Sequence, residues 1–186
     1  MNTETFFTRL EKYYQGSFDF TKPFVIEGSA FSGKEYTALA EFHSHIDKYV
    51  LLKKAQVWAA DSHEFCLFQS YPDFFCADDF NELTHLLTEY MEPQLVRKGN
   101  EDVAPDHMYT YLTLVILCEQ PVSKDMISMV KHYHFTKFYK LYARGYSEAR
   151  VVLVDLPNQK VYTNGAAREM KKLYKKVFND LTKGKF

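Results

Sequence analysis

The sequence is short of cysteine and has no long apolar segment. Its three cysteines, Cys66, Cys76 and Cys118, have no CxxC spacing, which argues against a disulfide framework and against a zinc site built from paired cysteines. No apolar run approaches the roughly 18–20 residues that cross a bilayer. The first residues, MNTETFFTRLEKYY, lack the basic start and the apolar core of a signal peptide. These absences predict a cytoplasmic protein with reduced thiols and no membrane partner.

An excess of charge of one sign is missing as well. The chain has 23 Lys and Arg against 24 Asp and Glu, a net charge of −1, so no overall field favours nucleic acid or a membrane surface. The motifs G-x-S-x-G, GxGxxG, HExxH and the P-loop are absent, and Gly33-Lys34 lacks the Walker spacing. The sequence therefore indicates no cofactor and no catalytic residue, and a protein without enzymatic activity is favoured.

Aromatic residues, by contrast, are abundant. The chain has 16 Phe and 14 Tyr in 186 residues. Because Phe and Tyr each bury a large apolar area, this composition predicts an aromatic core, an adhesive surface, or both. A chain of this length is most simply a single domain, here residues 1–186.

Four segments have the apolar spacing of amphipathic helices. Residues 3–15 form the first. Asp79 and Glu82 have the spacing of a capping box at the start of the second, which Pro93 is expected to end. Ser123 caps a short third helix, and residues 165–182 form the last.

Two segments predict strands that are buried in the core. Val151–Leu156 is aliphatic except for Asp155 and is too short for a helix, so we expect it to be buried on both faces. A turn over 156–159 then leads into a returning strand at Lys160–Thr163. Met108–Cys118 is nearly all apolar and predicts a central strand.

Alternation of apolar and polar residues predicts the remaining strands. These are Phe24–Ile26, Tyr36–Ile46, a hairpin of Tyr49–Ala60 and Glu64–Gln69 joined through Asp61-Ser62-His63, and Phe135–Arg144 ended by Gly145.

Together these elements predict a single α+β domain with a mixed, mainly antiparallel sheet of about seven or eight strands and about four packed helices. The polar stretch 93–107 has no periodicity, and if the chain divides, it divides there. The pattern A-[QR]-V-x-x-x-D occurs at 55–61 and at 149–155, each time before a predicted returning strand and a helix. Internal duplication of a hairpin-plus-helix unit would explain this repeat, and so would chance.

The residues EFHSHIDKYVLLKKAQVWA (41–59), together with RVVLVDLPNQKVYTN (150–164), resemble an uncharacterised bacterial family of Gram-positive anaerobes, a domain of unknown function. The resemblance covers most of the chain. It implies no catalytic or binding residues, because the shared motifs are structural in character.

Histidines two residues apart form one candidate site. His43 and His45 fall on one face of a predicted strand beside Glu41, and His132 and His134 repeat the spacing where a helix gives way to a strand. Imidazole and carboxylate groups in this pattern can ligate Zn, Fe, Cu or Ni, as a metal-dependent enzyme would require. Surface histidines between charged neighbours give the same pattern, and we expect little bound metal.

Two cysteines are candidates for a nucleophile. Cys66 and Cys118 lie in predicted strands, and His63 or His132 could act as the base. Buried cysteine more often packs as a small hydrophobic residue, and that interpretation is favoured here.

The stretch HYHFTKFYKLYARGY (132–146) interleaves basic and aromatic residues, as single-stranded nucleic-acid platforms do. In that interpretation Lys137, Lys140 and Arg144 hold phosphates, and Phe138 and Tyr142 stack on bases. A half-buried strand whose lysines cover an aromatic core gives the same pattern. This second interpretation is favoured, because the net charge of −1 lacks the basic footprint of nucleic-acid binders.

The sequence therefore predicts a non-catalytic, cytoplasmic binding or interaction protein whose ligand it does not identify. The alternatives are a nucleic-acid-binding accessory protein and a metal-dependent enzyme. A homodimer is also expected, held by aromatic residues on strand faces such as Tyr36–Phe42 or Phe135–Tyr142.

Overall fold

The computed structural model describes residues 1–28, 30–49 and 56–184, and for residues 44–49 and 56–61 it describes the backbone alone. The helices are α1 (Thr3–Tyr14), α2 (Ala77–Leu86), a π-helix (Leu87–Val96), α3 (Lys124–His132), a 3₁₀ helix (Arg168–Met170) and α4 (Lys171–Thr182). The strands are β1 (Asp19–Thr21), β2 (Phe24–Val25), β3 (Glu35–Tyr36), β4 (Ala38–Tyr49), β5 (Gln56–Tyr71), β6 (His107–Cys118), β7 (Thr136–Phe138), β8 (Tyr146–Asp155) and β9 (Lys160–Thr163). No helix in this described part is long and apolar enough to span a membrane.

The main sheet has seven strands in the order β1-β4-β5-β6-β8-β7, and β9 also pairs with β8. The pairs β5–β6 and β6–β8 are parallel. The pairs β1–β4, β4–β5, β7–β8 and β8–β9 are antiparallel. The chain is therefore α+β with four α-helices and a mixed sheet in its described residues, and the parallel pairing lies at the centre of the sheet.

Strands β6 and β8 occupy the centre because both of their faces are apolar. Residues 112–118 of β6 and 151–155 of β8 are all buried, including Asp155. The predicted central strand at Met108–Cys118 and the predicted buried strand at Val151–Leu156 are thus confirmed.

Helices cover the two faces of the sheet in different ways. The connections between the parallel strands supply α2, the π-helix and α3, whose apolar residues, such as Phe80, Met91 and Met126, pack against Leu114 of β6. We call this side the crossover face. On the opposite side, the terminal face, α1 and α4 pack through residues such as Phe6, Leu10, Tyr174 and Val177 against Val115 and Val152.

The predicted turn at Asp61-Ser62-His63 is wrong, because these residues lie within strand β5. It runs without a break through Asp61-Ser62-His63, where a turn was expected, and His43 and Ser44 pair in register with His63 and Ser62. Pairing with β4 on one side and β6 on the other overrides the weak turn tendency of these polar residues. The first copy of the A-[QR]-V-x-x-x-D pattern begins at Ala55, outside the described residues, and continues in β5; the second copy lies in β8. Only β8 is followed by a returning strand.

The second helix also begins and ends differently from the prediction. Cys76 is its N-cap, and Asp79 in the first turn accepts a hydrogen bond of 2.8 Å from the Cys76 backbone N–H. Pro93 lies inside the π-helix and does not end the helical segment. Proline clashes with the carbonyl four residues earlier in a regular α-helix, and the wider π turn, with its i→i+5 bonds, accommodates the ring. The helix therefore extends into the stretch expected to be a linker.

The predicted strand Phe135–Arg144 is wrong beyond Phe138. Lys140, Leu141 and Tyr142 have φ angles of 46°, 49° and 73°, so the chain makes a left-handed turn here. Gly145 follows this turn, at the point where the chain approaches the backbone of β6. A Cβ at this position would lie 1.7 Å from the carbonyl oxygen of Met108. Only glycine lets the two backbones approach so closely.

Asn164 completes the edge of β8 where no strand reaches it. β7 pairs with residues 146–148 and β9 with residues 152–155, which leaves the segment between them uncovered. The Asn164 side chain accepts hydrogen bonds from the backbone N–H groups of Val151 (3.0 Å) and Ala167 (3.1 Å). Its amide donates to the carbonyl groups of Ala149 (2.9 Å) and Tyr133 (3.3 Å). The Phe135 carbonyl and the Asn164 backbone N–H bond Ala149 and Val151 as well. The buried Asn164 side chain therefore completes the edge of β8 and ties it to the end of α3 and to the turn before α4.

We expect Asn164→Ala to lower the free energy of unfolding by about 2–4 kcal/mol, because it leaves several buried backbone groups without a partner. Asn164→Asp should be at least as damaging, since a carboxylate cannot donate to the two carbonyl groups. Chemical denaturation measures both, with the exposed Asn179→Ala as control, expected within about 0.5 kcal/mol of wild type. A loss below about 0.5 kcal/mol in Asn164→Ala would contradict this role.

Candidate binding surfaces of the sheet

The terminal face is only half covered by helices. α1 and α4 lie over the carboxyl ends of the parallel strands, where Val115 and Val152 are buried. Towards the amino ends of β6 and β8 the same face carries Tyr109, Tyr111 and Tyr146, which are only half-buried. We call this region the open half of the terminal face. It presents aromatic side chains that no helix in the described residues covers.

Five aromatic rings form a continuous row across this open half. The distance between ring centroids is 4.2 Å from Tyr142 to Phe138 and 6.1 Å from Phe138 to Tyr146. It is 6.2 Å from Tyr146 to Tyr109 and 5.0 Å from Tyr109 to Tyr111. The row arises because Phe138, Tyr146 and Tyr109 are in register on β7, β8 and β6. We refer to these five residues as the aromatic row.

The aromatic row is exposed at its turn end. Phe138 is 47% exposed, Tyr142 is 69% exposed and the neighbouring Leu141 is 94% exposed. Large apolar side chains grouped in this way are typical of interaction sites.

A half-buried arginine closes the other end of the row. The guanidinium carbon of Arg150 lies 3.3 Å from the ring centroid of Tyr111, a cation–π contact. Arg150 also pairs with Glu64 at 3.6 Å and with Glu169 at 3.1 Å. Glu64 accepts a hydrogen bond of 2.7 Å from the Thr113 hydroxyl. These partners fix Arg150, whose side chain is only 11% exposed, between the row and α4.

The bases proposed as phosphate contacts are paired with carboxylates. Lys137 lies on the crossover face and binds Glu92 at 2.8 Å. Lys140 and Arg144 both contact Asp102, at 3.4 Å and 3.0 Å. Phe138 and Tyr142, the predicted stacking residues, belong to the aromatic row. The structure thus separates the aromatic candidates from Lys137, and it gives each basic candidate an acidic partner.

Glu92 is the centre of a buried network that the sequence does not reveal. Its carboxylate is 2% exposed and accepts hydrogen bonds from Arg97 (2.8 Å), Lys137 (2.8 Å) and the Tyr139 hydroxyl (2.9 Å). Burial opposes ionisation, but these hydrogen bonds outweigh it and lower the pKa of Glu92 below its ordinary value. Glu92 therefore holds the π-helix to the segment that follows β7.

The predicted histidine site is partly assembled on the crossover face. Nε2 of His43 lies 3.6 Å from the Glu41 carboxylate. Nδ1 of His43 lies 2.7 Å from Nδ1 of His63, the residue opposite it on β5. The side chain of His45 lies outside the described residues. Two Nδ1 atoms in hydrogen-bond contact point at each other instead of at a shared metal position, and no group of three metal-type ligands occurs in the described residues.

The other histidine pair lies elsewhere. His132 ends α3, and its Nδ1 donates a hydrogen bond of 2.8 Å to the carbonyl of Ser128. His134 lies 3.4 Å from the Thr136 hydroxyl. Strands β5, β6 and β8 separate β4 from β7, which follows α3, in the sheet order, so the two predicted pairs do not share a site.

Two small cavities adjoin the histidines. One, of about 330 Å³, is lined by His63, Arg97, Asp102 and His107 among others. The other, of about 230 Å³, is lined by His43, His63, Phe65, Leu95, Val96 and Lys98. His107 is buried and is held by Thr110 (2.9 Å) and by the carbonyl of Arg144 (2.7 Å). The cavities share His63, Val96 and Lys98, so they form neighbouring parts of one depression.

The two candidate nucleophiles are unreactive in this environment. Burial raises the pKa of the Cys118 thiol to about 12, and it raises the pKa of the Cys66 thiol well above its ordinary value. The thiolate is the nucleophilic form of cysteine. Both residues are buried in the core, where the thiolate form is disfavoured.

Four residues of the open half are not among the sequence-predicted candidates: Tyr109, Tyr111, Tyr146 and Arg150. The Tyr-Thr-Tyr alternation at the start of β6 is a signal for two of them, because a strand buried on both faces would not place tyrosine at alternate positions. Nothing local identifies Arg150, whose partners Glu64 and Glu169 are far away in sequence.

The lowered pKa of Glu92 gives a pH-dependent prediction. Its contribution to stability should be fully present above the unfolded-state pKa of about 4.3 and should be lost as pH falls through the lower folded-state pKa. We expect Glu92→Gln to cost about 3 kcal/mol at neutral pH, because it leaves Arg97 and Lys137 without their carboxylate. Urea denaturation at several pH values should show this difference shrink on acidification. The exposed Glu89→Gln is the control, and a constant difference at all pH values would contradict the assignment.

Comparison with known proteins gives a family but no function. No curated protein and no solved structure matches the chain. A family model described as a domain of unknown function, DUF8052, matches residues 2–176. This range includes β1 to β9, the aromatic row, the Glu92 network and the two cavities beside His43, His63 and His107. The chain therefore belongs to the DUF8052 family, a domain of unknown function.

Proposed function

We propose that this protein is a non-catalytic interaction protein and that the aromatic row is its interaction surface. The observation that carries this proposal is the row itself, five rings in contact on a sheet face that no described helix covers. Aromatic side chains are enriched at the centres of protein interfaces, and charged side chains are depleted there. The inert thiols of Cys66 and Cys118 support a role without catalysis.

A protein partner fits this surface better than nucleic acid does. Binding to a phosphate backbone requires cations that are free to contact it. Lys137, Lys140 and Arg144 each have a carboxylate partner, and Arg150 at the end of the row has two. The aromatic residues of the row favour the alternative of a nucleic-acid-binding accessory protein. The four basic residues named here are already paired with carboxylates, and this pairing argues against that alternative.

We infer that the partner is a second copy of this chain. A two-fold interface must be complementary to itself. The exposed side chains of Phe138, Leu141 and Tyr142 at the turn end of the row are apolar, so two copies can pack this end against each other about a two-fold axis. The net charge of −1 adds almost no repulsion between copies.

A cytoplasmic location remains part of the proposal. Cys66, Cys76 and Cys118 are all unpaired in the structure. Free thiols are typical of proteins kept in a reducing compartment, which supports this location.

Light scattering coupled to size-exclusion chromatography tests the dimer. We expect a dimer that persists at about 0.5 M salt, where screening leaves apolar contacts intact. Leu141→Asp/Tyr142→Asp should give a folded monomer, because both side chains are exposed and Asp tolerates positive φ. Phe74→Asp is the control, since Phe74 is 73% exposed but lies outside the row.

The result could contradict this proposal in two ways. A monomer at every salt concentration would exclude the homodimer. Dissociation of the wild type on adding salt would mean that charged faces, and not the row, hold the copies together. Circular dichroism of each variant checks that a monomer is still folded.

A metal-dependent enzyme is the second candidate, favoured only by the contacts among Glu41, His43 and His63 beside a cavity. For an interaction protein we expect far less than one transition-metal ion per chain in elemental analysis of the purified protein. Stoichiometric zinc or iron that disappears in His43→Ala/His45→Ala would favour the metal-dependent enzyme instead. The His132→Ala variant serves as control, because His132 ends α3, which precedes β7, and β5, β6 and β8 separate β7 from β4.

A further inference from the structure

A basic depression lies where the end of α3 meets the start of α4. Its volume is about 430 Å³, and its lining consists of Lys131, Thr163, Asn164, Gly165, Arg168 and Lys171. These residues come from α3, from the end of β9 and the turn after it, from the 3₁₀ helix and from the start of α4. Three cations thus meet in a concave site, although the whole chain is close to neutral.

The cations of this depression have no acidic partner in the part of the chain that the structure describes. Within the described residues, none of Lys131, Arg168 and Lys171 forms a salt bridge. The nearest carboxylate in sequence, Glu169, pairs with Arg150 on the terminal face. Burial, Lys175 and Lys131 lower the pKa of Lys171, so the lysines repel one another. Such a cluster is stabilised when an anion neutralises it.

The depression is built on a rigid scaffold. Asn164 is 3% exposed, and its four hydrogen bonds fix the turn between β9 and α4. Lys131 lies over the Tyr162 ring at 5.6 Å from its centroid. No hydrogen bond in the described residues uses the backbone N–H of Gly165 or Ala166. The Thr163 side chain and the Gly165 backbone therefore add neutral groups beside the three cations.

Solvated lysines on a helix are common and usually bind nothing. Lys171 differs from Lys172, Lys175 and Lys176 of α4, because they are exposed whereas Lys171 is half-buried in the wall of a depression. The exposed Lys131 and Arg168 line the same depression. A guanidinium group can bind two oxygens of a phosphate at once, and ammonium groups add point charges. A dianion with several oxygen acceptors is the ligand that these groups complement.

We propose that Lys131, Arg168 and Lys171 form a binding site for the phosphate group of a small phosphorylated molecule. The volume of the depression accommodates a phosphate with a small organic group attached. This site is separate from the aromatic row, and its function does not depend on the homodimer.

Isothermal titration calorimetry of the full chain with inorganic phosphate and with phenyl phosphate tests the proposal. We expect both to bind, and we expect Lys131→Gln/Lys171→Gln to weaken the affinity at least tenfold. The matched control is Lys124→Gln/Lys172→Gln, which removes one exposed lysine from each of the same two helices. Its affinity should stay within about twofold of wild type, since neither Lys124 nor Lys172 lines the depression.

A thermal melt gives a second readout of binding, the stabilisation of the folded chain by the ligand. Phosphate should raise the melting temperature of wild type and of the control, because a ligand that binds the folded state stabilises it. The Lys131→Gln/Lys171→Gln variant should lose this response while remaining folded without phosphate.

Three results would overturn the proposal. The first is that neither phosphate compound binds. The control variant could lose as much affinity as the test variant, which would show a diffuse charge effect. Binding could be confined to vesicles of phosphatidylcholine with phosphatidic acid, with none to soluble phenyl phosphate, which would identify a lipid surface as the partner in place of a small molecule.

Discussion

The parallel pairing of β5, β6 and β8 is the constraint on which the rest of the structure depends. Parallel neighbours need long crossover connections, and two successive crossovers place α2, the π-helix and α3 on one face of the sheet. The opposite face must then be covered by the segments that remain, α1 and α4. These two helices cover only the carboxyl half of the strands. The open half of the terminal face, with its aromatic row, follows from the topology and not from a special feature of the row itself.

The edge of β8 shows the same constraint from another side. Its two partners on that edge, β7 and β9, come from opposite directions along the chain and do not meet. A gap in the ladder would leave buried N–H and C=O groups unpaired, at about 1–3 kcal/mol each. Asn164 fills the gap with a primary amide, which carries both a donor and an acceptor as the backbone does. The turn that this side chain fixes is also the floor of the basic depression.

The spacing of apolar residues predicts those helices and strands whose burial depends on their own sequence. The four α-helices and strands β6, β8 and β9 could be read from apolar spacing, because burial of one helix face or both strand faces leaves a direct pattern. The continuity of β5 through Asp61-Ser62-His63 could not, since it depends on strands far away in the chain. The same limit applies to the site. Glu41 and His43 are candidates that the sequence indicates, but the partner His63 comes from another strand, and Glu92, the acid that neutralises Lys137, is 45 residues away in the chain.

One contact joins the two surfaces for which binding is proposed. Glu169 lies between Arg168 and Lys171 in sequence, and it pairs at 3.1 Å with Arg150, which packs on Tyr111 at the end of the aromatic row. Binding at the depression could therefore alter the row through this pair, and the effect would be reciprocal. The Glu169 side chain is 75% exposed, however, and an exposed ion pair contributes only about 0–1 kcal/mol. Coupling through this contact is thus limited to about fivefold in affinity. The two surfaces are physically connected, but each must derive its binding energy from its own residues.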